Sequence, residues 1–248
     1  MVSYNGEQNT DMDTNGEAAL LTALLVHNQT PCVFDVGANV GEYSKRILLA
    51  NPNARIYAFE PDPESYNTLH SALGSKITIE NIALSSKQGT RILYRASASE
   101  MNSLYETHSG QHPHTGQVAV QTETLDAYCE RAGVPHIDLL KIDTEGHDLE
   151  VLKAGKKMLS GGIDYIQFEF GAPSIYARVY FKDFFDLLIT AGYSLFKIYP
   201  EGLLLIEEYE VAQERCLYAN FFAVASGCSI SGIPIVNKNH EPVNHRLP

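Results

Sequence analysis

Apolar runs of strand length alternate with stretches of helical spacing through most of the chain. Each apolar run ends in a polar turn or at a glycine, and apolar positions then return at intervals of three or four residues. This alternation predicts an α/β protein with a mostly parallel sheet and helices on both faces. Strands are predicted at residues 33–36, 55–59, 76–81, 90–95, 118–122, 137–142, 164–170, 193–198 and 220–225.

A glycine-rich turn, residues 37–41, separates the first predicted strand from a helix. Gly37 and Gly41 allow a ligand to approach the backbone, or allow a positive φ, where a Cβ would interfere. At the carboxyl edge of a parallel sheet, such a turn leads into a helix whose first N–H groups are free to bind a ligand. A tight strand-to-helix connection without a ligand has the same pattern, and that alternative stays open here.

Four predicted strands carry an acidic side chain at or near their carboxyl ends: Asp35, Glu60, Asp143 and Glu169. Because these ends meet at one edge of a parallel sheet, the four carboxylates are predicted to line one ligand site. Glu60 has the place of an acid that accepts hydrogen bonds from a ribose diol. The alternative for Glu60 is that it caps the next helix, as we expect for Asp62.

Further acids follow Asp143 directly, at positions 145, 148 and 150. Acidic side chains are favourable at the positive end of a helix, which is sufficient reason for Glu145, Asp148 and Glu150 to be there. Asp143 lies before that helix, at the end of the strand, and this explanation does not cover it. We therefore keep Asp143 as a candidate site residue.

The N-terminal part of the chain predicts one helix. Thr14 and Glu17 have the spacing of a capping box, and residues 18–26 supply a strongly apolar helix. We expect this helix to pack beside the sheet, with a position over the cofactor entrance as the alternative.

A polar stretch at residues 97–116 contains three histidines, His108, His112 and His114. A loop of this length inside a compact domain is typical of a lid or a binding segment. A metal site needs fixed ligands supported by neighbouring groups, which Pro113 and the loop glycines do not favour. We predict a lid over the substrate.

Composition limits the classes of function and the cellular locations that the sequence allows. The 248 residues include 18 Lys and Arg against 30 Asp and Glu, for a net charge of −12, which argues against a nucleic-acid partner. The four cysteines show neither the pairing of a zinc site nor the density of a disulfide scaffold. The chain lacks a signal-peptide pattern and an apolar run long enough for a membrane span, so a cytoplasmic protein without a membrane partner is predicted.

The predicted acidic rim does not suit a diphosphate. It suits a ligand that offers a ribose diol, an ammonium group and a positive sulfur, because carboxylates bind cations and accept hydrogen bonds from hydroxyls and amines. Asn39 also stands where a dinucleotide-binding fold has its second glycine. Both observations favour S-adenosylmethionine as the cofactor.

Two segments, 35–41 (DVGANVG) and 139–146 (LLKIDTEG), resemble those of the FkbM-type family of S-adenosylmethionine-dependent methyltransferases. The likeness covers residues 33–225, and the Lys-Ile-Asp-x-Glu-Gly element is its most specific part. It implies a class I methyltransferase fold, a Rossmann-like sheet of seven strands with the last one antiparallel. It also implies methyl transfer to a hydroxyl oxygen of a small molecule, a sugar or a natural product.

The resemblance also implies roles by position. Asp35 and the turn 37–41 would hold the methionine portion, Glu60 the ribose hydroxyls and residues 81–84 the adenine, while Ser103 matches a Ser-Leu element near the cofactor. The full set of predicted cofactor-binding residues is Asp35, Gly37, Ala38, Asn39, Gly41, Tyr43, Ser44, Glu60, Pro61, Asn81, Ala83, Ser103 and Asp143.

Attack by an alcohol oxygen needs a base within hydrogen-bond reach. His147, Glu145, Asp143 and Glu169 are the candidates, and an unperturbed histidine has a suitable pKa of about 6.5. The alternative for His147 is a solvated or capping residue at a helix start. The predicted catalytic residues are Asp143, His147 and Glu169, and no metal ligand is predicted.

Two other functions stay open at this stage: an NAD(P)-dependent oxidoreductase, and a non-catalytic nucleoside-binding module on the same fold. Predicted domain bounds are 1–30 for an N-terminal extension with an amphipathic helix, 31–228 for the methyltransferase domain and 229–248 for a C-terminal tail. The acceptor is expected to be a hydroxyl of a small molecule or glycan. The oligomeric state is open, a homodimer included.

Overall fold

The structure is a computed structural model that describes residues 8–107, 113–230 and 232–243. The strands are β1 Cys32–Val36, β2 Arg55–Phe59, β3 Thr78–Glu80, β4 Ala83–Leu84, β5 Gly89–Ala96, β6 His114–Glu123, β7 Ile137–Ile142, β8 Ile163–Phe170, β9 Tyr193–Tyr199, β10 Gly202–Leu205, β11 Ala219–Ala225, β12 Ile235–Val236 and β13 Pro242–Val243. The α-helices are α1 Glu17–Leu25, α2 Glu42–Ala50, α3 Pro63–Leu73, α4 Leu125–Ala132, α5 Asp148–Lys153, α6 Lys156–Leu159, α7 Pro173–Ala177 and α8 Phe181–Thr190.

The central sheet contains the seven strands that the resemblance implies. Its order is β13-β12-β10-β9-β11-β8-β7-β1-β2-β3. Five neighbouring strands run parallel, in the order β3, β2, β1, β7 and β8. Strand β11 lies antiparallel between β8 and β9. The predicted fold class, including the antiparallel last strand, is therefore confirmed.

Three short strands that the sequence analysis did not predict, β10, β12 and β13, extend this sheet beyond β9. The last two come from residues 229–248, which the sequence analysis set apart from the domain. A strand of two residues is too short to show the alternation of apolar and polar positions that predicts a strand. The burial of Ile235 and Val236 is therefore evident only from the structure.

A second, three-stranded sheet has the order β4-β6-β5. The predicted strands at 90–95 and 118–122 form its antiparallel pair, β5 and β6. In the loop between them, Ser103 forms an isolated bridge with Tyr94 of β5, and its hydroxyl donates to the carbonyl of Glu145 in the turn after β7. This small sheet thus places a covering loop over the predicted ligand edge.

Alternating side chains of the central strands fill two cores, one on each face. Phe34 and Leu140 point to one face with Tyr128 and Phe184, whereas Val33 on the other face belongs to the second core. This arrangement follows from the period of two in a β-strand. Helices pack on both faces, as predicted.

Helix α1 packs on the second core through three buried leucines, Leu20, Leu21 and Leu25. The predicted position beside the sheet is confirmed, but the predicted capping box is not present. The helix starts after Gly16 at φ 101°, without a side-chain cap, and the Thr14 hydroxyl bonds to Asn9 and Asp11 instead. The chain passes so close to β9 here that a Cβ at residue 16 would overlap the carbonyl oxygen of Tyr199.

None of the helices in the described ranges is long and apolar enough to cross a bilayer.

Candidate active site

The turns after β1 and β7 touch each other through the backbone. Gly37 has a φ of 85°, and a Cβ at this position would overlap the carbonyl oxygen of Asp143. The Asp143 N–H donates to the Val36 carbonyl at 2.9 Å. Only glycine at residue 37 allows this approach, and the contact brings the acids that follow β1 and β7 to one place.

The N–H groups of the glycine turn itself are largely occupied. Gly37 and Ala38 both donate to the Phe59 carbonyl at 3.0 Å, and Gly41 donates to Ala38 at 2.8 Å. Asn39, at a φ of 45°, donates to Glu60 at 2.8 Å. Backbone hydrogen bonds thus fix the turn to the end of β2, and Gly37 and Asn39 line both cavities of the site.

Glu60 lies directly after β2 and joins two turns. Its carboxylate accepts hydrogen bonds from the N–H groups of Asn39 and Asp62, both at 2.8 Å. Burial, together with the charges of Asp62 and Asp35, raises the pKa of Glu60 to about 7, although the two backbone hydrogen bonds oppose the shift. Each carboxylate oxygen keeps a second lone pair, so this group can still accept hydrogen bonds from a diol.

Asp62 caps helix α3, as the sequence analysis expected. Its carboxylate accepts a hydrogen bond from the Ser65 N–H at 3.2 Å, and Pro63 is the first helical residue. Arg95 of β5 pairs with the same carboxylate and with Glu64. The second sheet is therefore fastened to the turn after β2.

A narrow slot opens at the carboxyl ends of β1, β2 and β7 and encloses about 530 Å³ when space open to solvent is counted. Its walls combine apolar side chains with the Glu60 carboxylate and with residues of the loop after β5. This combination suits a flat base with a ribose, so the residues present fit the adenosine of S-adenosylmethionine. The side chains that carry this fit are Asn39, Phe59, Glu60, Ala83, Leu84, Leu93 and Leu104.

The loop after β5 closes the slot from above. Ser99, Glu100, Asn102 and Leu104 line it, and the Ser99 hydroxyl donates to the Asn39 side chain at 3.1 Å. The first half of this segment thus lines the slot, and its role as a lid over the substrate stays a prediction. Of the three histidines in this segment, His108 and His112 lie outside the described residues.

A larger chamber, about 1750 Å³ when space open to solvent is counted, adjoins the slot. Both cavities are lined by Gly37, Asn39, Glu100, Asp143 and Glu145, so they meet at these residues. Among the described residues that line the chamber, one is a lysine and seven are acids: Glu17, Asp35, Glu42, Glu100, Asp143, Glu145 and Glu169. The predicted convergence of Asp35, Asp143 and Glu169 at one edge is thus present in the structure.

The lysine of the chamber, Lys141, lies within a buried group of acids. Its ammonium donates to Asp143 at 2.9 Å and lies 5.1 Å from the ring centroid of Tyr43. Burial acts to lower the pKa of Lys141, but the charges of Asp143, Glu17 and Asp35 outweigh it and raise the pKa. Lys141 therefore stays charged and offsets part of the acidic charge.

A chain of hydrogen bonds links the chamber floor to helix α1. The Tyr43 hydroxyl donates to Gln167 at 2.8 Å, and the Gln167 amide donates to Glu17. Asn15 also donates to Glu17. Burial raises the pKa of Glu17 in spite of the opposing charge of Lys141 and these hydrogen bonds.

Three carboxylates meet where the slot joins the chamber. Asp143, Glu145 and Glu169 each offer an oxygen, and these atoms lie within 4.8 Å of one another. Burial and the mutual repulsion of this group raise the pKa values of Glu145 and Glu169 well above their usual range. Such a group can take up a proton, and its geometry also has room for a divalent cation.

Glu145 reaches this position from a left-handed backbone with φ 53°, and Gly146 follows at φ 98°. A non-glycine residue in this region is strained, and such strain is frequent at functional sites. The Ser103 hydroxyl donates to the Glu145 carbonyl at 2.8 Å and holds the turn.

His147 is fully buried, so the alternative of a solvated residue is wrong. Its ring nitrogens form hydrogen bonds with Ser85 at 2.9 Å and Tyr105 at 3.2 Å. Burial, with the charge of Arg91, lowers the pKa of His147 to about 4. The neutral ring connects α5 to the second sheet and borders the slot.

The predicted site residues divide into two groups. Those that line a cavity are Asp35, Gly37, Ala38, Asn39, Tyr43, Glu60, Pro61, Ala83, Asp143, His147 and Glu169. The others contact neighbours of the site: Ser44 donates to Asp35 at 2.6 Å, Asn81 to the carbonyls of Glu60 and Pro61, and Ser103 to Glu145. At Gly41 a Cβ would press on Leu69, which indicates a packing role.

Sequence reasoning missed Lys141 and Glu17. The signal for Lys141 was present, because a charged residue inside an otherwise apolar predicted strand needs a buried partner. Glu17 had an adequate explanation as a capping residue, and its place in the chamber depends on how α1 docks.

Comparison with known proteins agrees with this site. The family model "Methyltransferase FkbM domain" matches residues 35–195. The 2-O-methyltransferase NoeI of Sinorhizobium fredii is 26% identical over 195 residues, which cover 72% of this chain and 79% of that protein. The hexuronic acid methyltransferase AglP of Haloferax volcanii is 29% identical over 187 residues, 73% of this chain and 72% of that protein.

Among solved structures, fibrillarin of Aeropyrum pernix with bound S-adenosyl-L-methionine is similar over 84% of this chain and 73% of its own, at 16% identity and a TM-score of 0.42. The family match covers both motifs, the turn 37–41 and the Lys-Ile-Asp-x-Glu-Gly element. It also covers the carboxyl ends of the parallel strands that form the slot. The chain therefore belongs to the FkbM methyltransferase family, with S-adenosylmethionine as its cofactor.

Proposed function

We propose that this methyltransferase transfers the methyl group of S-adenosylmethionine to a hydroxyl oxygen of a sugar. The observation that carries the proposal is the junction of the two cavities at Asp143, Glu145 and Glu169. A slot suited to adenosine on one side and a broad chamber on the other place a donor and an acceptor on opposite sides of one group of carboxylates. The relatives named as a 2-O-methyltransferase and a hexuronic acid methyltransferase support a sugar acceptor.

In this proposal Glu60 accepts hydrogen bonds from the ribose hydroxyls, and the apolar side chains of the slot surround the adenine. Asp35 and Asp143 lie on the chamber side of the glycine turn, where the methionine portion with its ammonium group would be held. When bound, the cofactor supplies an electrophilic methyl group on a positive sulfur. The negative charge around it favours this cation.

We further propose that Glu169, with Glu145, accepts the proton of the acceptor hydroxyl. With the cofactor bound, this carboxylate pair would accept the proton that the acceptor hydroxyl loses as its oxygen takes the methyl group from sulfur. A raised pKa matches a carboxylate to this task near neutral pH. His147 is less suited, because both ring nitrogens are engaged and its pKa of about 4 makes it a weak base.

A transfer assay with tritiated-methyl S-adenosylmethionine tests the proposal. We expect label on glycosides from a panel that contains hexosides, deoxyhexosides, aminohexosides and glucuronides. Simple alcohols, phenols and hydroxy acids serve as controls. Labelling of these controls in place of every glycoside would contradict a sugar acceptor.

Thermal shift provides a second test. S-adenosylmethionine and S-adenosylhomocysteine are expected to raise the Tm, because both place adenosine in the slot. NAD and NADP are expected to leave it unchanged, and the opposite pattern would favour an oxidoreductase. A cytoplasmic location, the absence of nucleic-acid and membrane partners, and the domain bounds 1–30, 31–228 and 229–248 stay predictions.

A further inference from the structure

The outer wall of the chamber is built by a segment that precedes helix α1. This segment, residues 8–16, is here called the N-terminal strap. Gln8, Thr10 and Met12 line the chamber, and so does Glu17, the first residue of α1. None of the described strap residues lines the slot, whose lining begins at Val36. The strap therefore faces the acceptor side of the site.

The strap is held in place at three points. The Gln8 N–H donates to the Tyr218 carbonyl at 2.9 Å. Asp13 pairs with Arg46 of α2 at 2.6 Å, and Glu17, directly after the strap, is buried against Gln167. A segment tied at both ends and in the middle presents a defined surface to the chamber.

The second part of this wall is the segment 216–218, which the Gln8 contact joins to the strap. Cys216, Leu217 and Tyr218 line the chamber. Both segments lie outside residues 35–195, the part that matches the family model. The matched domain thus contains the slot residues and six of the seven chamber acids, whereas the wall residues and Glu17 lie outside it.

The wall and the floor of the chamber differ in charge. Gln8, Thr10 and Met12 are uncharged, as are Cys216, Leu217 and Tyr218, whereas seven acids and one lysine belong to the remainder. Amide and hydroxyl groups exchange hydrogen bonds with sugar hydroxyls, and the apolar groups contact ring carbons. A carboxylate on the acceptor would meet like charges in a confined space.

We infer that the strap and residues 216–218 form an acceptor subsite for an uncharged sugar ring. The inference rests on the proposed function and makes it more specific. It sets this chain apart from the relative named for hexuronic acid. The sugar lies between the uncharged wall and the carboxylates, with one hydroxyl toward Glu169.

Substitutions in the strap test the inference on the full chain. Thr10→Tyr adds bulk to the chamber, and Gln8→Ala removes an amide while keeping the backbone bond to Tyr218. For the neutral glycoside that the wild type methylates, we expect at least a tenfold loss of kcat/KM, with the Kd for S-adenosylmethionine within twofold. Thr30→Tyr is the matched control and should change neither quantity. Thr30 is exposed and precedes β1, at the end of that strand opposite to the glycine turn.

Cys216 gives a readout that does not depend on turnover. In a Cys228→Ser background the two other cysteines, Cys32 and Cys129, are buried, so N-ethylmaleimide is expected to label Cys216. With S-adenosylhomocysteine bound, neutral methyl glycosides at high concentration should slow this labelling. Methyl glucuronide should not, and the adduct should block transfer without changing cofactor binding.

The outcomes separate this inference from the proposed function. If glycosides are methylated and both strap variants have the kcat/KM of the wild type, the subsite is overturned while the proposed function stands. A preference for glucuronide over neutral glycosides, or equal protection of Cys216 by both, would do the same. Failure of every glycoside in the panel would overturn the proposed function and the subsite with it.

Discussion

Glu60 combines a structural and a binding role in one carboxylate. It fixes the glycine turn through Asn39 and the next turn through Asp62, and it faces the slot. We predict that Glu60→Gln, which keeps the size and removes the charge, weakens binding of S-adenosylmethionine about 10- to 100-fold, since hydrogen bonds to charged groups contribute about 1.5–3 kcal/mol. Isothermal calorimetry measures this loss.

Glu64→Gln is the control for this measurement, because Glu64 is an exposed acid on the adjacent helix. It should bind the cofactor like the wild type. Equal affinity of Glu60→Gln and Glu64→Gln would place the ribose elsewhere.

The proposed general base, Glu169, gives a prediction about the rate of methyl transfer. Removal of a general base costs about 10²–10⁴-fold in rate, so Glu169→Gln is expected to lower kcat in this range and to leave the Kd for the cofactor nearly unchanged. Asp164→Asn, at the other end of β8, should leave kcat unchanged. Wild-type kcat should rise with pH as the carboxylate pair loses its proton, and a full rate in Glu169→Gln would exclude this residue as the base.

The sequence was sufficient to find the acids at strand ends, because a strand end has a fixed place in a parallel sheet. Asp35, Glu60, Asp143 and Glu169 were predicted to share one edge, and the structure places all four on the two cavities. The environment of each group was not predictable. For His147, predicted as a catalytic residue with a solvated or capping residue as the alternative, only the packing of the second sheet shows that the side chain is buried.

At the scale of elements, the contact between the turns after β1 and β7 determines the shape of the site. We predict that Gly37→Ala destabilises the protein more than Gly133→Ala. Both residues have a positive φ, but nothing lies within 4 Å of a Cβ at Gly133, whereas one at Gly37 would overlap Asp143. Gly133→Ala should lose about 1–2 kcal/mol through backbone strain alone.

Gly37→Ala should lose a further 1–3 kcal/mol or so through the overlap. Urea unfolding measures both differences in the free energy of unfolding, and cofactor affinity should fall only in Gly37→Ala. Equal losses would show that the two turns do not depend on this close contact.

Element type was predictable where the apolar pattern was long, as for β1, β2, β7, β8, β9 and β11. Association of elements was harder to foresee. The strands at 90–95 and 118–122 are paired in a separate sheet, and α1 delivers Glu17 to a chamber far along the sequence. Such outcomes depend on long-range packing, which leaves no local pattern.

At the scale of the whole molecule, the buried acids make stability depend on pH. Burial raises the pKa of Glu60 to about 7 and that of Asp148 to about 6, and it also raises the pKa values of Asp35, Glu17, Glu145 and Glu169. A raised folded-state pKa contributes stability that is present below the unfolded-state pKa and is lost as pH rises through the folded value. We predict that the Tm falls between about pH 4.5 and pH 8 in the absence of cofactor.

His147 has the opposite sign, because its lowered pKa costs stability as pH falls from 6.5 to about 4. One histidine does not outweigh six carboxylates, so the net slope stays negative. Calorimetric scans across this pH range measure it, and Glu169→Gln should reduce the slope. A Tm that rises steadily from pH 5 to pH 8 would contradict the buried, partly protonated acids described here.

The central claim is that the slot holds adenosine and that the carboxylates at its junction with the chamber face the reacting sulfur. A crystal structure of the complex with S-adenosylhomocysteine tests this most directly. We predict ribose hydroxyls within hydrogen-bond distance of Glu60, adenine between the apolar side chains of the slot, and the sulfur beside Asp143 where the slot meets the chamber. A ligand bound elsewhere, or bound with its adenosine in the chamber, would contradict the account.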